Sequence, residues 1–346
     1  MSTQTDTPGT PDSTRKPGKP GKTGGPGRLG RHEFLTRNFG VLSILAVLVV
    51  LFVFFSVQTD VFLTTDNLVN VARQVAPTVI VAVAMTFVIT TGNIDLSVGS
   101  TLGLTAASLA IFAESRNALV AVALTLVLGL GIGMINGALT AYGKLQSFIV
   151  TLAALTAVRG LALLITDGYS TPITSDALLP IGNGKLAGLY TPTWIALVVV
   201  ALGWYVFNHT RFGRYVVATG SNAESLRRAG VDVRRIQLAV LTLTGLAAGL
   251  AGVITASRLA SGSANSGTLF ELEVITAVVL GGTALMGGKG SIVGSAIGAL
   301  TLGVISNGLV LLRVDVYWVP ITQGLILIVA ILLNAKLFGR VTGQQG

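Results

Sequence analysis

The stretch that decides the fold runs from Ala76 to Ala113 and reads APTVIVAVAMTFVITTGNIDLSVGSTLGLTAASLAIFA. Asp95 is its one charged residue, and the segment TTGNIDLSVGS places this aspartate between two glycines in the middle of the run. A helix needs about 20 predominantly apolar residues to cross the hydrocarbon core of a bilayer. The run therefore predicts two crossings, joined by a short polar segment at residues 91–96.

The composition indicates that the rest of the chain is also built for a membrane. Of 346 residues, 51% are hydrophobic and 11% are charged, and the mean hydropathy is +0.77. Soluble domains average about 25% charged residues, so this chain lacks the polar surface that a water-soluble fold requires. The fold class is predicted to be all-α, a multi-pass protein of the inner (plasma) membrane.

The apolar runs and the charges between them predict the topology. With the N-terminus in the cytoplasm, seventeen of the 23 Lys and Arg residues fall in inside segments and five in outside segments. This bias favours about ten transmembrane helices with both termini cytoplasmic. It also explains the net charge of +9 as membrane orientation, so no nucleic-acid partner is expected. The predicted spans are about 39–58, 68–91, 96–113, 118–141, 146–166, 193–208, 236–257, 272–287, 291–312 and 316–335.

The N-terminal segment 1–38 is rich in Pro, Gly and basic residues and is predicted to be a disordered cytoplasmic tail. It lacks the short apolar core and the cleavage site of a signal peptide. A basic tail of this kind is either simply solvated or weakly attracted to anionic membrane lipid.

Several kinds of chemistry are absent from the pattern. The chain has no cysteine, and its two histidines, His32 and His209, are far apart in sequence. The segments KPGKPGKT (16–23) and TALMGGKG (283–290) resemble phosphate-binding loops only superficially, because each lacks a required residue. No catalytic triad is visible. The chain is therefore not expected to be an enzyme or to carry a cofactor or metal, and any ATP hydrolysis must occur on another subunit.

Two sets of glycines recur at a spacing of four residues: Gly129, Gly133 and Gly137, then Gly290, Gly294 and Gly298. Small residues on one face of a helix allow close approach of helices in lipid. We interpret both sets as packing contacts in preference to substrate contacts.

The longest polar loop outside the tail spans 209–235, on the predicted cytoplasmic side. Ser221 or Asn222 could cap a short helix over residues 223–229, with Glu224 in its first turn and Gly230 at its end. Such a helix could dock a separate subunit, or the loop could rest on the lipid headgroups through its arginines.

The sequence RFGRYVVATGSNAESLRRAGVDVRRIQLAVLTLTGLAAGLAGVI (211–254) resembles the cytoplasmic loop and following helix of the ribose-type monosaccharide ABC importer permeases. Leu226 and Val231 replace the commoner Ala and Ile of that motif. The resemblance continues in GNIDLSVGS (92–100), in residues 135–163 and in residues 271–309, and covers roughly 40–335. One departure is Asn93, which stands where relatives usually have glycine.

The resemblance implies a permease domain at 39–340, with a coupling loop at 209–235 that contacts an ABC ATPase subunit. It further implies a permease homodimer and an extracytoplasmic sugar-binding protein as partners. The coupling residues carried over from the motif and its surroundings are Gly220, Asn222, Glu224, Arg227 and Gly230. The imported substrate would be ribose or a similar sugar, and which sugar is carried is left open.

Residues for the substrate pathway are chosen because neutral polyols need amide and hydroxyl partners. The candidates in the family-like segments are Asn93, Asp95, Ser97, Asn136, Thr151 and Asn307. The alternative for each is an interhelical hydrogen bond without contact to substrate. Arg159 is the one cation within a predicted span, and its partner is expected to be a carboxylate.

An ion-coupled secondary transporter is the alternative function. Intramembrane carboxylates often relay protons, and Asp95 would have that role. The predicted docking loop favours the ABC importer, because an ion-coupled carrier has no need of it.

Overall fold

The computed structural model describes residue 2 and residues 32–315 and 317–339, with side chains for residue 2, 41–315 and 317–332. Two compact units are distinguished, Met1–Asn38 and Phe39–Gly346. Most of the tail predicted at 1–38 lies outside the described residues. The helix contacts and the site described here belong to the second unit. The extent of the permease domain at 39–340 stays a prediction.

The described chain is almost entirely helical, which confirms the all-α fold class. Four strands of two residues each form two small antiparallel pairs, β1 with β4 and β2 with β3. In chain order the elements are α1 (His32–Gln58), α2 (Thr65–Thr90), α3 (Val98–Ser115), α4 (Ala118–Ala141), α5 (Ser147–Thr166), β1 (Thr171–Pro172), α6 (Leu179–Asn183), β2 (Lys185–Leu186), β3 (Leu189–Tyr190), α7 (Thr191–His209), α8 (Arg211–Arg228), α9 (Val233–Leu259), β4 (Ser261–Gly262), α10 (Phe270–Leu280), α11 (Ile292–Leu311) and α12 (Trp318–Gly339).

Eight of these helices are long and apolar enough to cross a membrane, and the apolar part of α12 adds a shorter one. About ten membrane helices were predicted, and the structure agrees with this number. The positions also agree, because a helix lies at each of the ten predicted spans. The placement of both termini in the cytoplasm stays a prediction.

One predicted span differs from the structure. The span expected at 272–287 is a helix of only 11 residues, α10, which ends at Leu280. Gly281 and Gly282 follow, and Gly282 has a φ of +89° that L side chains rarely adopt. The Thr283 N–H donates to the Val278 carbonyl at 3.2 Å and closes the helix end. At about 1.5 Å per residue, α10 covers roughly half of the hydrocarbon core.

The glycines with a four-residue spacing lie at helix–helix contacts, as predicted. A Cβ atom at Gly133 of α4 would lie 2.5 Å from the Leu241 carbonyl oxygen of α9 and 2.9 Å from the Gly245 Cα. In the second set, Gly294 and Gly298 of α11 lie against the backbone of α10 and of the residue that follows it. The backbones of these helix pairs therefore approach one another too closely for any larger residue.

Helix α8 lies at one end of the bundle, which we call the α8 side, beside the C-terminal end of α2. Its residue Gly220 packs so closely on Thr90 that a Cβ atom would overlap the Thr90 carbonyl oxygen. The same Cβ would be 2.5 Å from the backbone nitrogen of Gly288, in the loop after α10. The α8 side corresponds to the predicted cytoplasmic side.

Candidate functional site

Two helices begin in the interior of the bundle at about half of its depth. The Thr78 hydroxyl, in the middle of α2, donates to Glu273 Oε1 in the first turn of α10 at 2.9 Å. The Thr244 hydroxyl, near the middle of α9, donates to Asp95 Oδ2 just before α3 at 2.7 Å. Since α2 and α9 both cross the bundle, α3 and α10 must start near its midplane.

The two helices point away from each other from this common level. Gly99, in the first turn of α3, lies against Glu271 of α10 and against the Gly267 carbonyl oxygen. Residues 262–267 run along α3 from Ala106 to Gly99 and lead into α10. The segment 260–269 and α10 thus complete one crossing together, as residues 91–97 and α3 do. Non-helical backbone at such depth is tolerated where it is enclosed by protein.

Arg159 of α5 holds the segment before α10 in place. Its Nη1 donates to the Ala264 carbonyl and, at 3.1 Å, to the Ser266 carbonyl, and its Nη2 donates to the Gly267 carbonyl at 3.2 Å. A guanidinium group presents several donors in a fixed fork, so it can satisfy neighbouring carbonyls that an extended chain leaves free. The expected carboxylate partner is Glu271, which lies close enough to Arg159 for electrostatic attraction, whereas the hydrogen bonds to backbone carbonyls were not anticipated.

We expect that replacing Arg159 with methionine loosens this segment, because three carbonyl oxygens lose a charged donor worth about 1.5–3 kcal/mol per bond. The natural chain has no cysteine, so one introduced as Ser266→Cys reports exposure without background. Its labelling by a water-soluble thiol reagent should accelerate at least tenfold in the Arg159→Met background. The exposed Arg116→Met change is the control. An unchanged labelling rate would show that Arg159 is not required to hold the segment.

Asp95 is the centre of a closed hydrogen-bond cluster. Its Oδ1 accepts from the Ser97 backbone N–H at 2.9 Å and from the Ser97 hydroxyl at 2.7 Å. Asn136 of α4 donates through Nδ2 to Ser97 Oγ at 2.9 Å. The Thr244 bond on Oδ2 completes the set, and all four residues are buried. The cluster joins the start of α3 to α4 and α9.

The loop before Asp95 is fixed to α5. The Ile94 N–H donates to Ser147 Oγ at 3.1 Å, and the Thr151 hydroxyl lies 3.2 Å from the Ile94 carbonyl oxygen. Asn93 is buried and donates to the Thr91 hydroxyl at 2.8 Å. The chain can turn here because Gly92 adopts a φ of +79°.

Five of the six residues predicted for the substrate pathway therefore lie in one region: Asn93, Asp95, Ser97, Asn136 and Thr151. The sixth, Asn307, lies elsewhere and forms two reciprocal amide hydrogen bonds with Asn67, at 3.1 and 2.9 Å. Sequence reasoning did not identify Thr244. Glu271 and Glu273 lie at mid-depth, in the first turn of α10. Thr244 was missed because one hydroxyl group within an apolar helix gives no signal in the sequence.

The short helix predicted in the loop 209–235 is present as the second part of α8. The backbone of Asn222 is extended, with a φ of −162° and a ψ of 90°, and breaks the helix. Its Oδ1 accepts from the Ser225 N–H at 2.9 Å, the geometry of an N-cap. Gly230, with a φ of +84°, ends the helix as predicted.

The residues predicted for coupling include three with exposed charged or polar side chains: Asn222, Glu224 and Arg227. Glu224 forms ion pairs with Arg227 at 3.5 Å and with Arg228 at 3.3 Å. Such exposed pairs contribute at most about 1 kcal/mol, so these side chains are free to exchange partners. The exposed face of α8 is available to another protein.

Within the part of the chain that the structure describes, no group of three or more His, Asp and Glu residues could hold a metal ion. The arrangement instead offers hydrogen-bonding side chains at the centre of a membrane bundle and an exposed, capped helix at one end. Broken helices at mid-depth are typical of transport proteins.

Comparison with known proteins also indicates a transport protein. A family model described as the permease component of the branched-chain amino acid transport system matches residues 67–331. The ribose import permease protein of Escherichia coli is 44% identical over 297 residues, which cover 84% of this chain and 92% of the relative. The ribose import permease protein of Bacillus subtilis is 39% identical over 84% of this chain and 91% of the relative. The xylose transport system permease protein of Escherichia coli is 33% identical over 86% of this chain and 92% of the relative.

No solved structure matches the chain. The family match runs from the first turn of α2 into α12, and each of these relatives covers more than four fifths of the chain. The chain is a multi-pass protein of the inner, plasma membrane and a transport permease, not an enzyme. It belongs to the family of permease components of transport systems that the branched-chain amino acid permease model defines.

Proposed function

We propose that the protein is the membrane-spanning subunit of an ATP-binding cassette importer for a monosaccharide, ribose or a similar sugar. The observation that carries this proposal is the 44% identity to a ribose import permease over 84% of the chain. Identity at this level over most of the chain favours a shared substrate class. The 33% identity to a xylose permease agrees with a pentose.

The proposed energy source is ATP hydrolysis by a separate ATPase subunit that docks on α8. Its exposed, capped second half is suited to insertion into a groove on a partner protein. Gly220 connects this half to the bundle, at Thr90 and Gly288. Since residues 91–97 begin at this contact and residues 281–290 pass through it at Gly288, movement of α8 would reach both broken helices. A permease homodimer and an extracytoplasmic sugar-binding protein complete the proposed assembly.

For the substrate pathway, we propose that the cluster around Asp95 forms its inner part. In the observed arrangement the cluster is closed, because Asp95 is engaged by three donors. All three donors are uncharged. They could release Asp95 to accept from sugar hydroxyls at lower cost than a cationic partner would. Asn307 would contribute separately, through its pair with Asn67.

A reconstitution experiment tests the proposed function against the ion-coupled alternative. The full chain would be incorporated into liposomes with a candidate ATPase and a candidate sugar-binding protein, and uptake of radiolabelled D-ribose and D-xylose would be measured. We expect uptake to require ATP and both partners. Sugar uptake driven by an ion gradient with no ATPase present would overturn the proposal in favour of a secondary transporter that uses Asp95.

We expect that Gly220→Val separates ATP hydrolysis from transport. The added side chain overlaps the Thr90 carbonyl oxygen, so α8 cannot remain seated on the bundle. Sugar uptake should fall at least tenfold while ATP hydrolysis by the assembled complex continues. Gly160→Val is the matched control, because a Cβ atom at Gly160 meets nothing within 4 Å. Uptake at the level of the unmodified protein would show that this contact does not transmit the ATPase movement.

A further inference from the structure

A cavity of about 360 Å³ lies beside the start of α10, on the side away from the Asp95 cluster. It is lined by α2, by residues just before and within α10, by α11 and by the beginning of α12, and it is partly open to the surface. The size is within the range of small-molecule sites. The cavity reaches the middle of the bundle, because its lining residue Glu273 accepts a hydrogen bond from Thr78 in the middle of α2.

Five polar side chains line this cavity: Gln74, Thr268, Glu273, Ser306 and Gln323. Within the described part of the chain, the side chains of Gln74, Ser306 and Gln323 form no hydrogen bond. Glu273 is engaged at Oε1 by Thr78, which leaves Oε2 for a ligand. Unpaired polar groups at membrane depth are costly and usually mark a functional site. Here they converge on one space from α2, α10, α11 and α12.

The chemistry of the lining selects among possible ligands. Two amides, two hydroxyls and one carboxylate can exchange hydrogen bonds with a set of hydroxyl groups. The remaining lining is aliphatic and includes Val71, Val75 and Pro320. Among the described lining residues, none is Lys, Arg or His. The carboxylate of an amino acid would therefore find no cation, and Glu271 and Glu273 in the first turn of α10 would repel it.

From this geometry we propose that the cavity is a transient binding site for a neutral polyol, occupied by the sugar between its entry and the Asp95 cluster. In this proposal Glu273 of α10 accepts hydrogen bonds from the sugar, Gln323 of α12 donates and accepts them, and Ser306 contributes from α11. Thr268 of the lining adjoins Gly267, which touches Gly99 at the start of α3. A sugar in the cavity is thus separated from Asp95 by this contact. The inference rests on the proposed function and specifies where its substrate binds.

Cysteine protection tests this assignment in the full chain, reconstituted in liposomes with its ATPase and binding protein. A single cysteine introduced as Ser306→Cys would be labelled by a small charged thiol reagent in the presence of D-ribose, D-xylose or L-leucine. The sugar that the same preparation imports should slow labelling at least threefold, and L-leucine should have no effect. Gln323→Cys repeats the measurement on the opposite wall. Ser115→Cys, exposed at the end of α3 outside the cavity, should react at the same rate with or without sugar.

The outcomes separate the inference from the proposed function. A sugar that is imported but protects neither cysteine overturns the inference and leaves the proposed function intact. Protection by L-leucine and by neither sugar overturns the assignment to a polyol. Import of neither sugar overturns the proposed function, and the inference that rests on it is overturned as well.

Discussion

Replacing Asp95 with alanine is expected to lower sugar uptake at least tenfold while membrane insertion stays normal. The change removes the acceptor for the Ser97 N–H, the Ser97 hydroxyl and the Thr244 hydroxyl. Buried donors left without a partner cost about 1–3 kcal/mol each. That cost applies to the start of α3 and to its connections with α4 and α9, but not to the hydrophobic spans that drive insertion. Uptake in the reconstituted system and the amount of protein in the membrane fraction measure the two effects.

Asp95→Asn is the informative companion variant. The asparagine oxygen can still accept from Ser97, and the amide can donate to the Thr244 hydroxyl, so the cluster can form without a carboxylate. If Asp95 acts through hydrogen bonds, this variant should retain most of the uptake that Asp95→Ala loses. Loss of uptake in both variants would favour a role for the charge or proton of Asp95, as the ion-coupled alternative requires. Normal uptake by Asp95→Ala would show that the segment around Asp95 is a tight turn with no role in transport.

The second large effect is expected at the contact between α4 and α9. Gly133→Val places side-chain atoms against the Leu241 carbonyl oxygen and the Gly245 backbone, where a Cβ atom would already lie at 2.5 and 2.9 Å. Backbone cannot yield as a flexible side chain does, so the helices must separate. We expect a destabilisation of about 3 kcal/mol or more, at the upper end of values for overpacking. Thermal unfolding of the purified protein in detergent would show this as a fall in Tm.

Gly131 provides a control on the same helix. It lies two residues from Gly133, and a Cβ atom there would meet nothing within 4 Å. Gly131→Val therefore makes the same chemical change with the same effect on helix propensity, but without the collision. Its Tm should stay within a few degrees of the unmodified protein. Equal losses in the two variants would mean that close packing of α4 on α9 is not the source of the stability.

The sequence was sufficient to predict much of this architecture, for identifiable reasons. Long apolar runs gave the positions of the membrane helices, and the glycine spacing indicated the close contacts of α4 and α11. The cap at Asn222 and the stop at Gly230 follow from local backbone chemistry, which needs no knowledge of the tertiary fold. The bond between Asp95 and the Ser97 N–H is also local, since the two residues are only two positions apart.

The remaining features depend on contacts between segments distant in sequence. Hydropathy does not distinguish α10 and the loop after it from one continuous span, because residues 272–287 are apolar throughout apart from Glu273. The partners of Arg159 lie more than 100 residues away and are backbone atoms, which no side-chain pattern reveals. The cavity is formed by four helices that each contribute one or two polar residues. None of these residues is unusual in its own helix.

The brevity of α10 has a consequence for the way the chain enters the bilayer. A helix of 11 residues that begins with two glutamates in its first turn is too short and too polar to partition into lipid alone. The ten residues before it form mainly turns, with backbone groups that lipid cannot solvate. We therefore expect residues 260–280 to be accommodated after α2, α3 and α5 have assembled around their position. This segment would be inserted into protein, whereas the long apolar helices are inserted into lipid.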